Sequence, residues 1–291
     1  MLTVDPQTTA VPKLHGLMLG AIGPRPIAFA STMDEEGNPN LSPFSFFNVF
    51  SANPPILIFS PARRVRNNTT KHTLENVEAT REVVINIVNY AIVQQMSLSS
   101  TEYPEDVDEF VKAGLTPLES ETVKPFRVME SPVQFECKVN DIIHLGEQGG
   151  AGNLVICEVT RMHVEEALLN EEGGIDQYKI DQVARMGGNW YSRANLGMFE
   201  VPKPLSSLGI GVDAIPAHIR NSTILTGNDL GMLGNVEELP DEKAVDALIN
   251  SEVQLSRIVA AKDRTALHRK AQEYLSVGDT DRAWKVLLAL Q

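Results

Sequence analysis

Cysteine is nearly absent. Cys137 and Cys157 are the only two in 291 residues, too few for a disulfide framework. No window approaches the roughly 18 consecutive apolar residues of a membrane-spanning helix, so no membrane partner is expected. Positive charge is also scarce: 25 Lys and Arg stand against 38 Asp and Glu, for a formal net charge of −13. A chain that acidic has no general attraction for phosphate backbones, which argues against nucleic acid as a partner. A local basic patch can still capture one small anion. The N-terminus, MLTVDPQTTAVPKLHG, lacks the basic start and apolar stretch of a signal peptide. The expected location is the cytoplasm, where the N-x-Ser/Thr sequons at Asn67, Asn68 and Asn221 would meet no glycosylation machinery.

Several chemical motifs are missing too. The glycine-rich GEQGGAG (146–152) lies between two strand-like runs with no Lys-Ser/Thr after it. A phosphate-binding loop must open a helix, so this stretch reads as a wide hairpin turn. The six histidines are scattered without metal-ligand spacing, and the two cysteines read as small core residues. No G-x-S-x-G elbow or protease signature accompanies Ser42 or Ser45. No metal site and no catalytic acid, base or nucleophile is assigned.

What the sequence does contain is strands. RPIAFAST (25–32) and NLSPFSF (40–46) flank a polar, Gly-containing turn and read as a hairpin. PPILIFS (54–60) and EVVINIV (82–88) are β-branched or apolar runs. In PVQFECKVNDIIHLG (132–146), Val133, Phe135, Cys137 and Val139 share one face, with Gln134, Glu136, Lys138 and Asn140 on the other. NLVICEVTRMHV (153–164) supplies a partner strand. Helices are expected at KHTLENVEAT, with Thr73 as N-cap, and at EDVDEFVKA between Pro104 and Gly114. Strands outnumber helices up to Val164, so an antiparallel barrel is favoured over a doubly wound sheet.

The character changes after EVPKPLSS. From Asp241 onward the pattern is helical, giving an expected division into a barrel domain, 1–204, and a mostly helical extension, 205–291. Ala266, Tyr274, Gly278, Ala283 and Leu287 match one tetratricopeptide unit, but no second copy is present to build a solenoid. A helical cap on the barrel or on a partner subunit is the expected reading.

One constellation remains. SPFSFFN (42–48) mixes rings with small polar groups, and Thr32 and Asn40 stand close by in sequence. SPARRVRNNTTKHT (60–73) follows, with Ser60, Arg63, Arg64, Arg66, Lys71 and Thr73 leading into a helix. A helix start beside Lys and Thr suits a phosphate, and uncharged donors among rings suit a flat polar heterocycle. Taken alone, the same residues read more simply as core rings, solvated arginines and a plain cap.

The run GPRPIAFASTMDEEGNPNLSPFSFFNVFSANPPILIFS (23–60) resembles the signature of the flavin reductase-like, FMN-binding split-barrel proteins, especially their flavoredoxin-like branch. KHTLEN resembles that family's K-D-T-x-x-N, VVIN its V-x-N strand, and DQVARMGGNWYSR (181–193) its closing Arg-x-Gly-Gly-x-x-Tyr segment. The likeness runs from about residue 10 to 200 in the family's order. It implies a mainly β fold: a Greek-key antiparallel split barrel with peripheral helices, paired as a homodimer with FMN near the subunit interface. By that likeness Thr32, Asn40, Ser42, Ser45, Phe46 and Asn48 line the flavin ring and ribityl chain. Ser60, Arg63 or Arg64, Lys71 and Thr73 hold the phosphate, and Arg185, Gly188 and Tyr191 match the closing motif. His72 stands where the family commonly has Asp. The implied activity is that of an FMN-dependent oxidoreductase, an NAD(P)H-dependent flavin reductase passing hydride through FMN N5 to free flavin or another acceptor. The alternative is a flavoredoxin-like electron carrier reduced by a protein partner. A third reading, a flavin-free assembly protein, predicts no flavin uptake.

Overall fold

A computed structural model describes residues 1–104, 107–201 and 208–290. Contacts divide the chain into two units, Met1–Phe199 and Glu200–Gln291. The expected boundary between residues 204 and 205 lies outside the described residues, as do Glu105 and Asp106.

The first unit opens with helix α1 (Val11–Ala21), then β1 (Ala28–Met33), β2 (Pro39–Phe44), β3 (Phe47–Ala52) and β4 (Pro55–Phe59). Helix α2 (His72–Thr80), strand β5 (Glu82–Ile87), and helices α3 (Val93–Leu98) and α4 (Glu109–Ala113) follow. The unit continues with the short pair β6 (Pro117–Leu118) and β7 (Arg127–Val128), the long hairpin β8 (Val133–His144) and β9 (Asn153–Val164), and the closing hairpin β10 (Val183–Arg185) and β11 (Tyr191–Arg193).

Seven strands form one antiparallel sheet in the order β2-β1-β5-β8-β9-β4-β3. Its two edges, β2 and β3, are consecutive in the chain, with only Ser45 and Phe46 between them. Two residues reach no more than about 10 Å, so the sheet must curl until its edges nearly meet. The result is a barrel whose seam is left unpaired, a split barrel. The stretch that mixes rings and hydroxyls is the bridge across that split.

Period-2 alternation fills the interior: Ala28 and Ala30, Leu57 and Phe59, Val83 and Ile85, Cys137 and Val139, Val155 and Cys157 lie in one core, plugged by Leu74 and Val77 of α2. Glycines fit the 146–152 turn to its neighbour. A Cβ on Gly149 would stand 3.0 Å from the carbonyl oxygen of Val65, and Arg63 N donates to Ala151 O at 2.8 Å.

Several expectations need correction. Thr73 is not the N-cap of α2: Lys71 occupies that position without a side-chain cap bond, and the Thr73 hydroxyl is turned into the protein. The helix expected over EDVDEFVKA begins at Glu109, because the Asp108 carboxylate caps Phe110 N at 2.8 Å; it stops at Gly114, with φ 64°. Gln134 and Glu136, expected opposite the core face of β8, are both buried. The segment 119–128 covers that face, and Glu136 binds its N–H groups. Helix α1 was not anticipated; its 11 residues include none that is buried.

The second unit contains α5 (Ala217–Arg220), α6 (Gly227–Gly234), α7 (Glu242–Ser251), α8 (Val253–Ala260), α9 (Arg264–Ser276) and α10 (Thr280–Leu287). Its apolar stripes close on each other around Leu233, Leu255, Leu267, Leu275 and Trp284, a core of its own.

Candidate functional site

Ser45 is half-buried and Phe46 40 % exposed, and Phe46 O accepts from Ser60 N at 2.9 Å. Ser60, at the end of β4, is thereby drawn beside the bridge. Its own hydroxyl is occupied, accepting from Asn153 N at 3.0 Å. Ser42 is half-buried on β2, paired with Ala30. Asn48 is exposed and its Oδ1 accepts from Val49 N at 2.8 Å. Because β3 is a sheet edge, alternate N–H groups along it face no strand.

The basic loop leaves Ser60 and returns at Lys71. Arg63 and Arg64, expected on a phosphate, are engaged inside the loop. Arg63 Nε donates to Asn68 Oδ1 (2.8 Å) and its Nη2 to Asn68 O (2.7 Å). Arg64 Nη1 donates to Thr69 Oγ1 (2.9 Å) and to Thr70 O, and Glu102 lies 3.5 Å from Arg64 Nε. The two guanidiniums therefore shape the loop and supply its field. Lys71 differs. Its ammonium lies 4.9 Å from the Phe44 ring centroid, and among the described residues it has no acid or hydrogen-bond acceptor. Burial chiefly, and then the charge of Arg64, lower its pKa, while Glu102 acts the other way. A half-buried cation repelled by a second cation is a place where an anion lowers the energy.

Thr32, Asn40 and Thr73 meet in a buried network rather than on an open surface. Asn40 Nδ2 donates to Thr32 Oγ1 (3.1 Å) and to Thr73 Oγ1 (2.9 Å), and Asn76 Nδ2 also donates to Thr32 Oγ1 (3.1 Å). These bonds pin the first turn of α2 against the β1–β2 hairpin, which fixes Lys71 at the helix start. His72 and Asn40 line a groove shared with Asp34, Glu75 and Glu109. Glu109 is buried, its carboxylate accepting from Leu41 N at 3.1 Å. Burial raises its pKa, backbone N–H bonds from Leu41 and from itself lower it, and His72 also draws it down.

Arg185, Gly188 and Tyr191 form their own cluster on the β10–β11 hairpin. The Arg185 guanidinium stacks 4.6 Å from the Tyr191 ring centroid and donates to Gly188 O at 2.6 Å. Gly188, at φ 58°, takes the left-handed turn. Helix α1 links this hairpin to the seam. His15 meets Phe46 edge-on at 6.2 Å, and a Cβ on Gly187 would lie 3.1 Å from Gly20 Cα. Arg25 fastens the junction, donating to the carbonyls of Leu19 (2.8 Å), Ile22 and Met186 (2.8 Å).

Residues 21–179 match the family model described as "Flavin reductase like domain". The chain belongs to that family. An uncharacterised protein of Aquifex aeolicus is 38% identical over 181 residues, 62% of this chain and 90% of that one. Nitrilotriacetate monooxygenase component B from Bacillus cereus superposes with TM-score 0.65 at 32% identity, covering 69% of this chain and 98% of its own. A Shewanella frigidimarina protein with a split barrel domain gives TM-score 0.59 at 26% identity over 70% of this chain and all of its own.

Within this flavin reductase-like chain the seam, the Lys71 corner and the closing hairpin make up the candidate site. Sequence reasoning missed Asn76, Asn153 and Arg25 as residues that build it. Asn76 was signalled by the last position of K-x-T-x-x-N, and Arg25 by the Arg-Pro that opens the first motif. Asn153 had no local signal. It is the first residue of β9, and its amide holds Pro61 O (2.8 Å) and His144 Nδ1 (2.7 Å) across the barrel end.

Proposed function

We propose that the barrel unit binds FMN at the seam and acts as an FMN-dependent oxidoreductase, a flavin reductase using NADH or NADPH and serving free flavin or another acceptor. The observation that carries this reading is the Lys71 ammonium, half-buried beside Phe44 with no bonded acid among the described residues, at one end of a bridge of small donors and rings. Phosphate suits the one end and a flat heterocycle the other. When bound, FMN would supply hydride acceptance at N5, with negative charge developing around N1 and the C2 oxygen.

The chain's own residues bind, orient and shield. Lys71 neutralises the phosphate, within the field of the Arg63–Arg64 loop and beside Ser60. Thr32, Asn40 and Thr73 hold the start of α2 in place for it. Ser42, Ser45, Phe46 and Asn48, with the unpaired edge N–H groups of residues 45–48, would hold the ring, and those donors would supply stabilisation of negative charge as an oxyanion hole does. Arg185, Gly188 and Tyr191 close the site. A second copy is the expected partner: edge strand β3 carries Val49 and Phe50 at 64% and 63% exposure, an apolar edge of the kind that pairs between subunits. We place the protein in the cytoplasm.

The test is an absorption spectrum after incubation with FMN and gel filtration, followed by anaerobic NADH and NADPH. Retained flavin bleached by either nucleotide supports the reductase. Retained flavin that only a redox protein reduces would move the assignment to an electron carrier. Absence of binding in a titration with free FMN would sink the flavin reading altogether. Lys71→Ala is expected to weaken FMN binding by about tenfold or more while the thermal transition stays in place.

A further inference from the structure

Ser222 closes the turn after α5 in the helical unit. Its Oγ accepts the N–H groups of Ile224 (3.1 Å) and Leu225 (3.2 Å), which occupies both lone pairs of the hydroxyl. Its one proton is left to donate, and the partner at 2.7 Å is Nδ1 of His268 on α9. That nitrogen must therefore be unprotonated, so the ring is neutral and carries its proton on Nε2. Protonating Nδ1 would set a third donor against an oxygen with no lone pair left. His268 is 8% exposed, so water does not readily take over.

A second imidazole stands nearby. His218, on α5, has its Nε2 shielded from solvent and, among the described residues, without a hydrogen-bond partner. Arg264, one turn before His268 on α9, bears on both rings. Of the other charged groups of these elements, Arg269 is exposed and the rest are engaged elsewhere. Arg220 donates to Asp213 O, Asp229 of α6 accepts from Thr226 and Gln272, and Lys270 pairs with Glu273. Neither imidazole has a bonded carboxylate among the described residues.

We propose that His268 and His218 form an acid-operated latch, holding α5 and its following turn against α9 while both rings are neutral and releasing them when the rings are protonated. The helical unit then loosens in weak acid while the barrel keeps its fold. Burial is the largest cause holding both rings below the ordinary imidazole range. Arg264 adds to it for His218, and His218 followed by Arg264 for His268. The sign follows. The open form binds protons near the ordinary value of about 6.5 and the closed form resists them. Closure is complete above that pH and loses ground as pH falls below it.

The test uses the full chain with Trp190→Phe, which leaves Trp284 of the helical core as the remaining tryptophan. Between about pH 7.5 and 5.0, hydrogen exchange at Leu225 and along α9, corrected for its intrinsic pH trend, is expected to accelerate at least about tenfold, with a matching change in Trp284 emission. His268→Gln keeps an oxygen for Ser222 but cannot be protonated, so it flattens most of that response. Ser222→Ala weakens the turn at every pH and leaves a pH response. Corrected exchange that ignores pH in this range overturns the proposal. If His268→Gln fails to fold, NMR titration of the wild-type rings decides: values below the ordinary range for both histidines support the latch, and unshifted values overturn it.

Discussion

The two units bury opposite things. Among the described residues, the barrel unit hides Thr32, Asn40, Thr73, Asn86, Gln134, Glu136 and Asn153, whereas His268 is the one buried polar residue of the helical unit. The barrel's buried groups are bonded across long stretches of chain: Asn40 to Thr73, Asn86 to Val128, Ser60 to Asn153. The polar side chains of the helical unit mostly act locally. Asp241, Asp263 and Asp279 each accept from the backbone N–H three residues on, as helix caps. Burying a polar group costs stability unless every partner is in place. A unit that does so repeatedly is one in which geometry, more than stability, is being specified. In the barrel those bonds fix the start of α2 and the end of β4, the two places from which Lys71 and Ser60 reach the seam.

The sharpest contrast is in what one deletion removes. Trp284 is almost fully buried, and its indole Nε1 donates to Leu233 O at 3.0 Å. Trp284→Ala is expected to cost the helical unit about 3–5 kcal/mol, from lost burial and the cavity left behind. Thermal unfolding followed by circular dichroism measures it. The contrast with the barrel breaks if the loss is under about 1 kcal/mol, because the helical core would then not be where its stability resides.

The barrel's counterpart is a charge. Glu136 is fully buried and accepts from Glu121 N (2.9 Å), Thr122 N (2.6 Å) and the Thr122 hydroxyl (2.6 Å), with His163 Nε2 at 2.8 Å. Burial alone would raise its pKa. The Thr122 hydroxyl, Glu121 N–H, His163 and Thr122 N–H more than offset that and hold it down to about 2. Glu136→Ala strands these donors and is expected to cost about 3 kcal/mol. Its pH signature runs one way. The folded pKa lies below the ordinary value of about 4.5, so the contribution is complete above pH 4.5 and is lost as pH falls through about 2. The histidine latch acts higher, below about 6.5, so the two units should respond to acid in separate windows. A barrel that loses stability between pH 7 and 5 would contradict this.

Asn40 tests the network that sets the site. Asn40→Ala leaves the Thr32 and Thr73 hydroxyls without its amide, for an expected loss of about 1–3 kcal/mol. Because α2 starts at that network, flavin retention should fall along with stability. Unchanged retention in a destabilised barrel would separate the network from the site.

How much of this was legible in sequence follows the same division. Period-2 alternation is a local signal, and it located β8 and β9 and the hairpin partners. The split barrel came from ordered motifs, and its physical reason, two sheet edges joined by Ser45 and Phe46, needs the strand order that only the folded chain reveals. Seam residues were found because rings beside hydroxyls are unusual in one short stretch. Arg63 and Arg64 are expected at the phosphate from their charge alone, and sequence gives no sign of the bonds they make to Asn68 and Thr69 in the same loop. Gln134 and Glu136 were placed opposite the core face, since alternation cannot say that segment 119–128 will cover it. Thr73 resembled a cap, but Asn40 lies 33 positions away and claims its hydroxyl instead. In the helical unit the helical pattern from Asp241 onward is plain in sequence. The Ser222–His268 bond, 46 positions long, is not.

The smallest effect is the cleanest check on locality. Asp279 accepts from Arg282 N at 3.0 Å, and Gly278 just before it takes φ 80° to end the turn from α9. Asp279→Ala removes one cap bond and a favourable charge at the helix start, for an expected loss of about 1 kcal/mol. Since α10 carries Ala283, Trp284 and Leu287 into the core, a frayed first turn should lower the unfolding temperature of the helical unit by a few degrees without altering its acid response, which belongs to α5 and α9. Chemical denaturation of Asp279→Ala at two pH values, about 7.5 and 5.5, separates the contributions. Equal losses at both assign Asp279 to capping alone, and a loss confined to the lower pH would mean that the cap and the latch are one device.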